Sequence, residues 1–169
     1  MKTMITISAR ISTPNILKDV EINEVLAMIK NGVCYNQDLR EVTAFIQSHS
    51  DHDVQNQLKL QYLPVALFNG TFSYKNSAGL KEYSNFTAID FDRSNNEREF
   101  NEVRSRLCNT PCVYAVFRTP SGRGLKAIVM HDNDNPEYHE ELYLQLLSKF
   151  NTPATDTSVG DIARGNYIC

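Results

Sequence analysis

The chain has 169 residues, 41% of them hydrophobic, with a formal charge of −3 and a sequence pI near 5.8. That length supports one compact domain with a real core, or two small lobes sharing one. The acidic balance argues against coating duplex DNA through phosphate contacts, no apolar run approaches the roughly 20 residues needed to cross a bilayer, and four cysteines in a chain this size do not make a disulfide framework.

The N-terminal stretch MKTMITISARISTPN lacks the apolar run and cleavage site of a signal peptide, so a cytoplasmic protein with reduced thiols is expected. It opens with TMITISA, which alternates and is rich in β-branched residues, as a strand does. Asp19 is the expected cap of a helix through EINEVLAMIKNG, where Ile22, Val25, Leu26 and Ile29 recur at helical spacing and Gly32 stops the run. Asn36 or Asp38 is placed to cap a second helix through LREVTAFIQSHS, and polar residues 52–61 suit a third, short one. After Pro64, VALFNGTF reads as a strand broken by an Asn-Gly turn.

The second half alternates more clearly. FTAIDFD (86–92) is a strand, NEREFNEVRSRL (96–107) a helix, PCVYAVFRT (111–119) and LKAIVMH (125–131) strands, and Pro136 opens a helix reaching Phe150. ARGNYIC supplies a last strand. The order is β-α-β-β-α-β, the split βαβ pattern of ferredoxin-like and RRM-like folds, with both helices on one sheet face and the other face open. The expected class is α+β: a single domain over 1–169, with an N-terminal α/β lobe (1–80) packed beside an RRM-like lobe (81–169). Because the chain ends at GNYIC, directly after a basic and aromatic stretch, it is expected to be the N-terminal part of a longer protein.

Asp90 and Asp92 sit two apart in a strand, so their side chains leave the same face. Asp is disfavoured in strands, and two carboxylates on one face repel; bound Mg²⁺ or Mn²⁺ removes that cost. For a single Asp, a strand-end cap is the better reading; for the pair, metal is favoured. TPSGRGLKAIV places Ser121, Gly122, Arg123 and Gly124 between two strands, where glycines let backbone N–H groups approach a phosphate and Arg123 and Lys126 add charge. Taken alone, the turn reads better as a plain hairpin. NTPATDTSVGDIARGNY carries Asp156, Asp161 and Arg164 in a polar connection leading into the last strand. His49 and His52 lie on a polar helix end, and Cys108 and Cys112 have no second ligand pair nearby, so zinc is not expected at either. His131 and His139 flank an acidic loop and are expected to be exposed.

TAIDFD, then SGRGLK, then Asp156 resembles the three-motif layout of the archaeo-eukaryotic primase superfamily. More narrowly, LPVALFNGTF, the Asp strand, TPSGRGLKAIV and ATDTSVGDIARGNY resemble VirE-type N-terminal domains, primase-like modules of phages and mobile elements often joined to a helicase. The resemblance covers roughly residues 60–169. It implies metal ions at Asp90, Asp92 and Asp156 and nucleotide phosphates at the Ser121–Gly124 turn. Many primases of that superfamily have histidine where this chain has Lys126, which would serve as a point charge on a triphosphate.

The mechanism expected from this reading is two-metal nucleotidyl transfer in DNA replication, with Asp90, Asp92 and Asp156 catalytic, Arg123, Lys126 and Arg164 holding the nucleoside triphosphate, and single-stranded DNA as template. The alternative is an inactive module of a replication protein that binds a nucleotide or single-stranded nucleic acid.

Overall fold

The structure is a computed structural model that describes residues 2–10, 17–91, 96–150 and 160–169. Five α-helices and eleven strands are present among the described residues, and all strand pairings are antiparallel.

The N-terminal half builds a four-stranded sheet. β1 (Met4–Ser8) lies between β2 (Leu17–Glu21) and β5 (Val65–Leu67), and the far edge of β5 takes the last strand of the chain, β11 (Asn166–Tyr167). Asp19 does not cap the first helix. It sits within β2, where its carboxylate accepts from Thr6 Oγ1 at 2.5 Å and pairs with Lys81. The helix α1 (Ile22–Asn31) instead begins at Glu21 with no side-chain cap, and Gly32 closes it in the left-handed conformation that glycine adopts at least cost. β3 (Val33–Cys34) and β4 (Gln37–Asp38) form a tight ribbon turning at Tyr35 and Asn36, both at positive φ. Asp38 then caps α2 (Leu39–Gln47) by accepting from the Arg40 and Glu41 N–H groups, and Asp51 caps α3 (His52–Tyr62) in the same way.

Asn69-Gly70 does not join a hairpin, because β5 and the next strand, β6 (Gly70–Phe72), leave in different sheets. β6 pairs with β7 (Leu80–Tyr83). Gly70 is required there by close approach: a Cβ would stand 2.1 Å from the Glu82 carbonyl oxygen.

The second half follows the expected order. β8 (Phe86–Phe91), α4 (Glu97–Cys108, capped by Asn96), β9 (Val113–Arg118), β10 (Leu125–Met130) and α5 (His139–Phe150, led by a 3₁₀ turn at Pro136–Tyr138) form a three-stranded sheet of order β8-β10-β9 with its helices. Ile89, Phe91, Leu125, Ala127 and Val129 project from one face onto Phe100 and Leu107 of α4 and Tyr143, Leu146, Leu147 and Phe150 of α5. The opposite face, expected to be open, is covered. Phe86, Ala88 and Ile128 pack against Ile5, Ile7, Val20 and Ala66 of the first sheet and Phe68 and Ile168 just past its strands, with Ile22, Val25 and Leu39 from α1 and α2 completing that core. The fold is α+β, with the two larger antiparallel sheets stacked face to face and helices outside. β11 closes no edge of the second sheet; its register, Asn166 opposite Ala66, places it in the first. No described helix is long and apolar enough to cross a membrane.

A charged cluster between two sheets as candidate functional site

Strand alternation puts Asp90 on the same face as Ala88, and antiparallel register puts Lys126 directly opposite it. Both therefore point into the seam between the sheets, where cross-strand neighbours come within reach of each other. Lys126 Nζ lies 2.5 Å from Asp90 Oδ1. Arg164, two residues before β11, brings Nη2 to 2.7 Å from Asp90 Oδ2. Lys126 Nζ also donates to Asn166 Oδ1 at 2.8 Å, so the two sheets are tied together by polar bonds inside an otherwise apolar layer.

Arg164 is held by its own segment. Its N–H donates to the Asp161 carbonyl at 3.0 Å, Asp161 Oδ1 accepts from the Ala163 N–H at 2.9 Å, and Asn69 Nδ2 donates to the Ile162 carbonyl at 2.8 Å. The Arg164 carbonyl accepts from Asn166 Nδ2 at 3.1 Å.

The electrostatics are unbalanced. Two cations face one carboxylate, and Arg164 Nη1 is buried with no hydrogen-bond partner among the described residues. Lys126 is only 4% exposed. Burial pushes its ammonium pKa down from the ordinary lysine value, Asp90 opposes that shift, and the Arg164 charge reinforces it. The Cys169 thiol, whose pKa burial pushes up to about 11 with Lys126 pulling the other way, donates to the Arg118 carbonyl at 3.3 Å.

The Ser121–Gly124 turn sits beside this cluster but turns its donors inward. The Gly122 N–H donates to the Thr119 carbonyl at 2.8 Å, and the Gly124 N–H to Thr119 Oγ1 at 3.2 Å. Ser121 Oγ lies 3.2 Å from Thr119 Oγ1, and Gln47 Nε2 ties the turn to α2 through the Pro120 carbonyl at 3.0 Å. A Cβ on Gly124 would meet the Phe91 carbonyl oxygen at 2.9 Å, so the turn is pressed against the end of β8. Arg123 is exposed at its tip.

Of the residues singled out from sequence, Asp90, Lys126 and Arg164 come together, and Ser121, Gly122, Arg123 and Gly124 lie at the neighbouring turn. Asp92 and Asp156 fall outside the described residues. No group of three or more His, Cys, Asp or Glu side chains suited to a metal occurs among the described residues, and both Asp90 oxygens are engaged by cations. Asn166 is the member sequence reasoning missed. Its signal was available: it stands two residues from Arg164 in a segment read as a strand, so the two share a face.

The fold and the cluster define an α+β domain with a partly buried ion network between stacked sheets, in which two cations face one carboxylate among the described residues. The chain belongs to the family described as BT4734-like, N-terminal domain, whose model matches residues 57–165. This corrects the VirE-type, primase-superfamily resemblance drawn from TAIDFD, SGRGLK and Asp156, since the matching family is a different one. No curated protein and no solved structure matches the chain.

Proposed function

We propose that this domain binds a nucleoside triphosphate through its phosphates at the Arg164–Lys126–Asp90 cluster, approached past Arg123 of the adjoining Ser121–Gly124 turn. One observation carries the reading: Arg164 spends one guanidinium nitrogen on Asp90 and keeps the other buried and, among the described residues, unpartnered beside a second cation. A buried donor without an acceptor costs about 1–3 kcal/mol. A phosphate oxygen removes that cost and balances the excess charge, and the planar guanidinium fork suits it. Arg123, exposed at the turn, adds a cation on the approach.

A second reading is metal-dependent nucleotidyl transfer, favoured by the Asp90-x-Asp92 spacing at the end of β8. It requires Mg²⁺ or Mn²⁺ to draw Asp90 away from at least one of its two cations, since neither of its oxygens is free.

Calorimetry with ATP and dATP, in Mg²⁺ and in EDTA, separates the two. Binding that persists in EDTA and weakens in Arg164→Ala supports the first. Binding that needs the metal, together with extension of a primer on single-stranded DNA, supports the second. No triphosphate binding under either condition sinks both.

A further inference from the structure

His139, expected at the surface, is 2% exposed, and its ring and that of His131 both pack against Tyr83. Tyr83 Oη lies 2.8 Å from His139 Nδ1 and accepts from Asn133 Nδ2 at 3.3 Å. The bond runs from the phenol O–H to Nδ1 or from Nδ1–H to the phenol oxygen according to the tautomer, and it leaves Nε2 as the ring's other nitrogen. That Nε2 is buried and has no partner among the described residues. The Tyr83 ring is centred 5.7 Å from each histidine ring, edge-on to His139. The cluster thus joins three elements: β7 through Tyr83, the connection after β10 through His131 and Asn133, and α5 through its first residue.

We propose that Tyr83, His131 and His139 form an acid-operated catch, which holds the start of α5 and the connection before it against β7 while both imidazoles are neutral and releases them when His139 takes up a proton. A charge on His139 would be buried at the N-terminal end of a helix, where the backbone dipole is already positive. Among the described residues no carboxylate hydrogen-bonds to it. His131 is a second imidazole, and Tyr83 is a neutral phenol. Asp161 accepts from the Ala163 N–H and faces Lys75, and Asp132 lies beside His131 without a hydrogen bond to either ring among the described residues.

The direction of the titration agrees with the geometry. Burial pushes the His139 pKa down from 6.5 to about 4, with His131 reinforcing the shift and Asp161 opposing it. Burial also lowers His131, against the backbone of Phe86 and Asn133 and the charge of Asp132. A base with a depressed folded pKa contributes its full stability above 6.5 and loses it as pH falls from 6.5 toward about 4. Below both values the folding constant drops by up to roughly 300-fold, since each unit of displacement is tenfold.

Imidazole NMR titration of the full chain tests this directly. His139 should hold a neutral ring at pH 7 and titrate near pH 4, with amide exchange, corrected for intrinsic rates, rising first in residues 131–140 as pH falls. His139→Asn, which keeps a short acceptor for Tyr83 but does not titrate, should flatten the dependence of unfolding midpoint on pH between about 4 and 6.5. An ordinary His139 titration between about 6 and 7 overturns the proposal. So does exchange that rises uniformly along the chain, or a His139→Asn variant that keeps the wild-type pH dependence. If that variant does not fold, the wild-type titration and exchange decide alone.

Discussion

Lys126 Nζ and Asp90 Oδ1 lie 2.5 Å apart as register partners on adjacent strands, and both point into the seam between the two sheets. Lys126 is buried and Asp90 is partly exposed, so the pair stands at the edge of the core. Arg164 and Asn166 reach it from the opposite sheet.

Removing the carboxylate leaves two cations facing each other in that seam. Asp90→Ala is therefore expected to destabilise the domain by about 3–5 kcal/mol, the range for breaking one side of a buried ion pair. Adding Lys126→Met should recover a large part of the loss, because only one cation then remains. Urea denaturation of the single and double variants checks this, and strict additivity would show that the two residues do not act as a unit.

Lys126 also predicts an alkaline response. Its folded pKa lies below the ordinary 10.5, so the folded state releases this proton before the unfolded chain does. Stability attributable to the amine should therefore rise as pH climbs toward 10.5, the opposite of an exposed salt-bridged lysine. The difference in unfolding midpoint between wild type and Lys126→Met, followed from neutral pH upward, isolates the term. A difference that moves the other way would mean that Asp90 outweighs burial.

For ligand binding, Arg164 matters more than Arg123. Arg164→Ala should weaken triphosphate affinity by about 1–3 kcal/mol, the cost of a lost hydrogen bond to a charged group. Arg164→Lys should restore little, since an ammonium cannot hold Asp90 and a phosphate oxygen in one planar fork. Arg123→Ala should act mainly through long-range attraction, losing its effect at high salt. Calorimetry at low and high salt distinguishes them.

Two glycines are held by close approach. Gly70→Ala would set a Cβ 2.1 Å from the Glu82 carbonyl oxygen and should cost well over about 1 kcal/mol by forcing β6 from β7. Gly124→Val meets the Phe91 carbonyl and the Thr119 side chain at 2.9 Å and should loosen the turn against β8. Thermal unfolding measures both, and an unchanged midpoint for Gly70→Ala would refute the close packing of that ribbon.

Local chemistry determined much of this protein from its sequence. Alternation marked the strands in FTAIDFD and LKAIVMH, Asp38 marked a helix start and Gly32 a stop, because capping and periodicity depend on residues a few positions apart. Period-two spacing also put Asp90 and Lys126 on definite faces. It could not say what covers those faces. The face expected to be open became the central core once the first sheet packed onto it, and Lys126 became buried as a result. Arg164 reached Asp90 across 74 positions, β11 joined β5 of the first sheet, and His139 was buried by β7 and its own connection. Each of these is a contact between segments far apart in the chain, and no short-range propensity encodes such a contact; the packing of one sheet on another decides it.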